Sequence, residues 1–401
     1  MSKKIVIVNV HWNNRGDEAA LKGLWLNLRK KFPSSKITTI FKNKNPINDG
    51  LNLFTDKILV NNFKEPLFKI IFCILFRGKI FKNSDVSKLI RALLNADFII
   101  YGPGGSVISD NFYRYKQIEY LTPFAVSFFF SIPLYVIGPS FGPFDLSKKF
   151  LVRKFLISKA KKICVREEHS KNSLLTLDKN IKVVSTTDLC FSYQDFNYIK
   201  NKKFEKILHK FKFLENGKKI VGITLTDFNW HVKIGKDLEL IKNLNIIYHN
   251  FIEYLVENNF KVLLIPQLFG SQNDYDYLNK FKSISDNVET LSVKFDCDEQ
   301  KKIISKLYAF VGVRYHSNIF AIMSKVPNVS IIYENKMEGF LKDSGLENLG
   351  LNLYDLDTNK LIKKFKKLCI NRDTTIKLYD KILPLLEKKS KSSFDLLNED
   401  I

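Results

Sequence analysis

Residues able to handle a small, multiply charged anion are gathered in one stretch, Ala309 to Lys336, which reads AFVGVRYHSNIFAIMSKVPNVSIIYENK. Arg314 offers a planar guanidinium fork that grips phosphate or carboxylate through paired hydrogen bonds. His316, two positions on, carries an imidazole that titrates near neutral pH and so suits acid–base work. Lys336 adds an ammonium, and Ser317 is of the right type to cap a helix whose amino end favours an anion. Fork, imidazole, ammonium and helix start together describe a site for a compact, doubly charged acid. The plainer reading is that Arg314 and His316 satisfy loop carbonyls, and an R-x-H pair alone does not decide between the two.

The elements that must hold these residues follow from apolar patterning. Ala309 to Val313 is a short apolar run, apolar positions at helical spacing follow Ser317-Asn318, and Pro327 leads into Val329 to Tyr333. That order predicts strand, loop, helix, strand, with Arg314 and His316 at the carboxyl edge of a parallel sheet, where α/β proteins bind ligands. In extended backbone the two face the same way. Upstream, Lys4 to Val10 predicts a strand followed by HWNNRGD and a helix from about Glu18, with Asn13 and Gly16 in the turn and Asp17 as the cap. Ala96 to Tyr101 predicts another strand, ending in Gly102-Pro103-Gly104-Gly105-Ser106. Glycines there let the backbone approach a ligand and offer N–H groups to an anion or hydroxyl, although the same residues also simply make a tight turn. Lys162 to Val165 predicts a strand that ends at Arg166, with Ser170 as a cap and Glu167 or Glu168 as a surface partner for the arginine. Asp298 is expected to cap the short helix before Ala309.

Taken in order, N-x-x-G-D-E at Asn13 to Glu18, GPGGS at 102–106, V-R-E-E-H-S at 165–170, P-Q at 266–267 with Asp274 beyond a glycine, and R-x-H-S with a downstream Lys336 resemble the polysaccharide pyruvyl transferase family. The resemblance covers most of residues 4–345. It implies a GT-B-like architecture of two Rossmann-like domains facing across a cleft. It also implies phosphoenolpyruvate as donor substrate, with no cofactor and no metal, and a sugar hydroxyl pair as acceptor, joined as a ketal. On that basis His316, Asp17 and Arg166 are the catalytic candidates. Arg314, Lys336, Ser317, Gly104, Gly105, Ser106 and Asn13 are the substrate-binding ones. The acceptor implied is a cell-surface polysaccharide or its undecaprenyl-linked precursor. The first alternative is a GT-B glycosyltransferase that holds a nucleotide-sugar diphosphate with Arg314 and Lys336, and the second a non-enzymatic basic protein that binds membrane or nucleic acid.

Length and composition bound these readings. The chain has 401 residues, enough for two domains, with boundaries expected at 1–195 and 218–357, a lysine-rich linker at 196–217 and a basic helical tail from 358. Lys and Arg outnumber Asp and Glu by 64 to 41, a formal charge of +23 that attracts phosphorylated substrates, nucleic acid or an acidic membrane face. No nucleic-acid reading motif accompanies that charge, so nucleic acid is not expected as a partner. The five cysteines are scattered with no CxxC pair, which reads as reduced thiols in a cytoplasmic protein. Two places invite the inner face of the membrane. One is the apolar run Pro66 to Arg77, studded with cations, and the other is the lysine-rich tail, whose Leu361, Ile362, Phe365 and Leu368 form a helical stripe. For each, the alternative is ordinary packing against a core with a solvated outer face. Leu121 to Gly138 is long and apolar, but Pro123 and Pro133 divide it into a helix and a strand rather than a span.

Overall fold

A computed structural model describes residues 2–41, 55–60, 65–105, 108–110, 114–144, 151–193, 213, 217, 219–231, 233–269, 273–293 and 295–397, with the side chains of 114–116 left aside. The chain divides into two compact units. The first comprises residues 1–13, 17–193 and 387–401, and the second residues 14–16 and 194–386. Most of the expected linker lies outside the described residues. From 358 onward the chain is shared, with residues up to 386 counted in the second unit and the remainder in the first.

The first unit is built on a seven-stranded sheet in the order β3-β2-β1-β4-β5-β6-β7. Its strands are β1 (Lys4–Val10), β2 (Lys36–Phe41), β3 (Asp56–Leu59), β4 (Phe98–Tyr101), β5 (Leu134–Ile137), β6 (Lys162–Val165) and β7 (Val183–Ser185). All neighbours run parallel, with Val6 opposite Ile99 and Ile5 opposite Ile37. Helices cover the sheet: α1 (Arg15–Lys31), α2 (Leu67–Leu75), α3 (Asp85–Leu94), α4 (Arg114–Phe130), α5 (Leu151–Ser158) and α6 (Glu168–Leu177). Parallel strands covered on both faces are apolar throughout rather than alternating. That is why FIIY and LYVI are buried at every position.

The second unit carries a six-stranded parallel sheet, β10-β9-β8-β11-β12-β13. Here β8 is Ile220–Thr224, β9 Lys261–Leu264, β10 Val288–Thr290, β11 Ala309–Gly312, β12 Asn328–Ile332 and β13 Gly350–Asn352. Its helices are α7 (Leu238–Glu257), α8 (Asp274–Leu278), α9 (Cys297–Ile304), α10 (Tyr315–Met323), α11 (Asn335–Asp343), α12 (Thr358–Ile370) and α13 (Arg372–Lys391), the last crossing from the second unit into the first. Each unit is therefore doubly wound. Strand order reverses between β1 and β4 in the first unit and between β8 and β11 in the second, which puts a ligand-binding crevice at the carboxyl ends of those pairs.

The stripe on α12 packs inward, with Leu361, Phe365 and Leu368 buried. In α13 the hydroxyl of the fully buried Tyr379 donates to Asn328 Oδ1 at 2.6 Å. The last residues are tied to the first unit, where Ser390 Oγ donates to the Asp188 carbonyl at 2.9 Å and Ser393 Oγ lies 2.7 Å from Thr186 Oγ1. These helices are core elements, with lysines on their outer faces. No helix among the described residues is long and apolar enough to cross a membrane.

Candidate active site

In the second unit the crevice between β8 and β11 is lined by the loop after β8 and the strand-to-helix turn after β11. Arg314 occupies that turn with extended backbone and is itself the residue at the cap position of α10. Ser317 is therefore not the cap. It lies in the first turn, donating to the Arg314 carbonyl at 2.7 Å and pairing with Thr224 Oγ1 at 2.7 Å, so it locks strand to helix. His316 is helical too, so the two basic residues do not share one extended segment.

Arg314 is 8% exposed, and its partner is a carboxylate rather than a loop carbonyl. Nη2 donates to Asp274 Oδ1 at 2.5 Å and Nε to Oδ2 at 3.2 Å, while Nη2 also reaches Thr226 Oγ1 at 2.9 Å. Trp230 lies across the guanidinium, its ring centre 5.3 Å from Cζ. Burial disfavours the charge, but Asp274 and Tyr333 more than offset it, so the guanidinium stays protonated. Asp274, at the amino end of α8, also accepts the backbone N–H of Gln267 at 3.1 Å and of Leu268 at 2.9 Å. A buried carboxylate with four donors holds the arginine rigidly.

Lys336 lies beyond the end of β12. It sits in the first turn of α11, with Nζ 2.5 Å from Glu334 Oε2 and 6.0 Å from the ring centre of Tyr315. Tyr315 meets the His316 ring edge to face at 4.9 Å. Lys336, Tyr315 and His316 thus form one row on the same sheet edge. Gly16, counted in this unit, completes it: a Cβ at that position would lie 1.8 Å from His316 Cγ, so only glycine leaves room for the imidazole. Arg15 holds this segment through its N–H to the Gln267 carbonyl at 3.1 Å and its guanidinium to the Val293 carbonyl at 3.0 Å.

In the first unit the crevice between β1 and β4 carries a different set. Asp17 lies inside the first turn of α1 rather than at its cap; the turn is closed instead by Asn14, whose Oδ1 accepts the Gly16 N–H at 2.9 Å. Asn13 is half-buried in the preceding turn. Gly104 is pressed against β1: its N–H donates to the Asn9 carbonyl at 3.1 Å, and a Cβ would meet that oxygen at 2.3 Å. Gly105 has open space around its Cα, and Ser106 lies outside the described residues. His11 stacks on Tyr120 at 5.9 Å, and burial, Glu119 and Asp17 together push that phenol far above its ordinary pKa.

Arg166 is 2% exposed, so the expected surface pair is a buried network instead. Nη1 donates to Asp188 Oδ2 at 3.0 Å, Nε to Ser140 Oγ at 2.7 Å, and Glu167 Oε2 stands 3.6 Å away. Glu168 pairs with Lys171. Ser170 does not cap α6, where Glu167 holds the cap position. Its hydroxyl bonds Glu167 and accepts the Phe141 N–H at 2.8 Å. Likewise Asp296, not Asp298, caps α9, in a capping box with Glu299.

The family described as polysaccharide pyruvyl transferase matches residues 14–335. The chain belongs to this family. A curated relative, the amylovoran biosynthesis protein AmsJ of Erwinia amylovora, is 24% identical over 392 residues, covering 90% of this chain and 91% of its own. Among solved structures, the UDP-GlcNAc 2-epimerase of Neisseria meningitidis superposes with a TM-score of 0.64 at 14% identity, over 99% of this chain and 100% of its own. A putative UDP-N-acetylglucosamine 2-epimerase of Listeria monocytogenes gives 0.64 at 13%, over 100% and 98%, and a glycosyltransferase of Rickettsia africae 0.60 at 13%, over 100% of both chains. These likenesses establish the GT-B-like fold, two Rossmann-like units with carboxyl-terminal helices.

Within this pyruvyl transferase fold, several residues stand beside Arg314 that the motifs do not single out as site residues. Thr226, Trp230 and His231 come from the loop after β8, and Tyr333 from the end of β12. Tyr333 packs against Phe228 at 5.0 Å, Trp230 at 6.1 Å and His231 at 6.0 Å. His231 Nδ1 accepts the Ile234 N–H at 3.1 Å, which leaves the neutral ring with its proton on Nε2. Burial is the main cause that lowers the pKa of His231; Glu334 pulls it back in part, and Lys336 and Lys233 add smaller lowering effects. The signal available was D-x-N-W-H after an apolar strand, in the position of a switch-point loop.

Proposed function

We propose that this transferase moves a pyruvyl group from phosphoenolpyruvate to a hydroxyl pair of a polysaccharide sugar, or of its lipid-linked precursor, as a ketal. The observation that carries this reading is the row Lys336, Tyr315, His316 beside a rigidly held Arg314 on one sheet edge. A three-carbon acid phosphate needs fixed cations and little apolar volume. Arg314, braced by Asp274, is a cationic wall whose position does not drift, and Lys336 is the more mobile charge for the phosphate. His316 is the general acid or base. A proton added to the methylene carbon turns it into a methyl group and makes the neighbouring carbon oxocarbenium-like. Two sugar hydroxyls then add to that carbon and phosphate leaves. Of the two protons they release, one replaces the proton delivered to carbon and the other departs with phosphate. In the first unit, Asp17 orients or deprotonates an acceptor hydroxyl. Arg166 supplies positive charge, and Asn13, Gly104 and Gly105 offer backbone and amide contacts to the sugar.

Thermal stabilisation tests the donor. Phosphoenolpyruvate is expected to raise the melting temperature and nucleotide sugars to leave it unchanged; stabilisation by a nucleotide sugar alone would reject this reading in favour of glycosyl transfer.

A further inference from the structure

Helix α2 (Leu67–Leu75) is apolar except for Lys69, which pairs with Glu65, yet only one of its faces is covered. Ile70, Cys73 and Ile74 pack into the core of the first unit, while Leu67, Phe68, Ile71, Phe72, Leu75 and Phe76 stand exposed, Leu75 by 65%. The exposed face continues onto the neighbouring helices through Phe128 and Phe129 of α4 and Leu151, Val152 and Phe155 of α5, where Phe128 meets Phe155 at 5.0 Å. More than half of the large apolar side chains that stand exposed among the described residues lie on this one surface. A patch of that extent marks an interaction site.

Cations edge the same surface. Lys159 Nζ lies 5.1 Å from the ring centre of Phe155 and 6.0 Å from that of Phe128, and Arg77 Cζ lies 5.3 Å from that of Phe130. Lys79 and Lys82 are exposed just beyond α2. An apolar centre with a cationic edge matches a bilayer interface, where rings enter the acyl boundary and ammonium and guanidinium groups remain among the headgroups. A second copy of the chain is a poorer partner, because self-association would bring like-charged edges together on a protein of net charge +23. Nine helical residues are too short to cross a bilayer, so the helix would lie along it.

We infer that the α2–α4–α5 face is a docking surface for an anionic lipid bilayer. The inference is independent of the chemistry assigned to the crevices. The full chain is floated with vesicles of phosphatidylcholine alone or mixed with phosphatidylglycerol. Wild type is expected to bind the mixed vesicles, less so as salt rises. Phe68→Ser/Phe72→Ser/Phe76→Ser and, separately, Arg77→Gln/Lys79→Gln/Lys82→Gln should each lower partitioning by roughly tenfold or more. Both variants should retain the wild-type circular dichroism and phosphate release with a soluble saccharide. A control altering the tail, Lys363→Gln/Lys366→Gln/Lys367→Gln, should bind as wild type does. Wild type that stays with neither vesicle, patch variants that bind unchanged, binding lost only in the tail variant, or patch variants that merely convert a dimer to monomers would each overturn the inference.

Discussion

Replacing Asp274 with alanine asks whether Arg314 is held as described. The carboxylate is 3% exposed and receives two hydrogen bonds from the guanidinium, at 2.5 and 3.2 Å, and two from backbone N–H groups. Removing one partner of a buried pair strands the other, at a cost of about 3–5 kcal/mol. Thr226 still accepts from Nη2, which places the expectation toward the lower end, about 3 kcal/mol. Equilibrium urea unfolding measures it. The double variant Arg314→Ala/Asp274→Ala should recover part of the loss, since no charge then remains buried alone. A single variant within about 1 kcal/mol of wild type, or a double variant at the simple sum of the two singles, would refute the reasoning.

Gly16→Ala should displace the His316 ring, because its Cβ would overlap Cγ; phosphate release from phosphoenolpyruvate is expected to fall about a hundredfold, and an unchanged rate would disprove the contact. Tyr379→Phe removes the hydrogen bond to Asn328 and should cost about 1 kcal/mol in urea unfolding. Burial raises the phenol pKa values of Tyr101 and Tyr248 above the unfolded value, so the folded state keeps their protons. Their stabilisation should be complete below about pH 10 and fall as pH rises above it, read as a melting temperature that declines in alkali while phenolate absorbance lags.

Much of the fold is legible because parallel strands at a sheet centre carry no alternation to misread. β1 and β6 have the expected bounds, and β4 and β11 differ from expectation only in end residues. Two of the edge strands are illegible for the converse reason. DKIL in β3 and GLN in β13 are short, polar and half-exposed, so nothing in their composition separates them from loop. Helix caps misled the reading because capping is decided within a residue or two. Ser317, Ser170 and Asp298 are all good capping types, yet each falls one or more positions inside its helix. In the crevices, residue types announced the charges but not their partners. Asp274 is forty positions from Arg314 in sequence and reaches it only because β9 and β11 flank β8. The aromatic neighbours Trp230 and Tyr333 likewise converge through strand order alone.

In the proposed function, the Arg314–His316–Lys336 edge delivers a pyruvyl unit to sugar. The most direct test is mass spectrometry of a candidate saccharide incubated with phosphoenolpyruvate and either wild-type protein or His316→Ala, with phosphate release followed in parallel. Wild type is expected to give a pyruvyl-bearing saccharide and matching phosphate, with both reduced about 10²- to 10⁴-fold in a folded variant. A pyruvylated product formed equally well without the imidazole would contradict it.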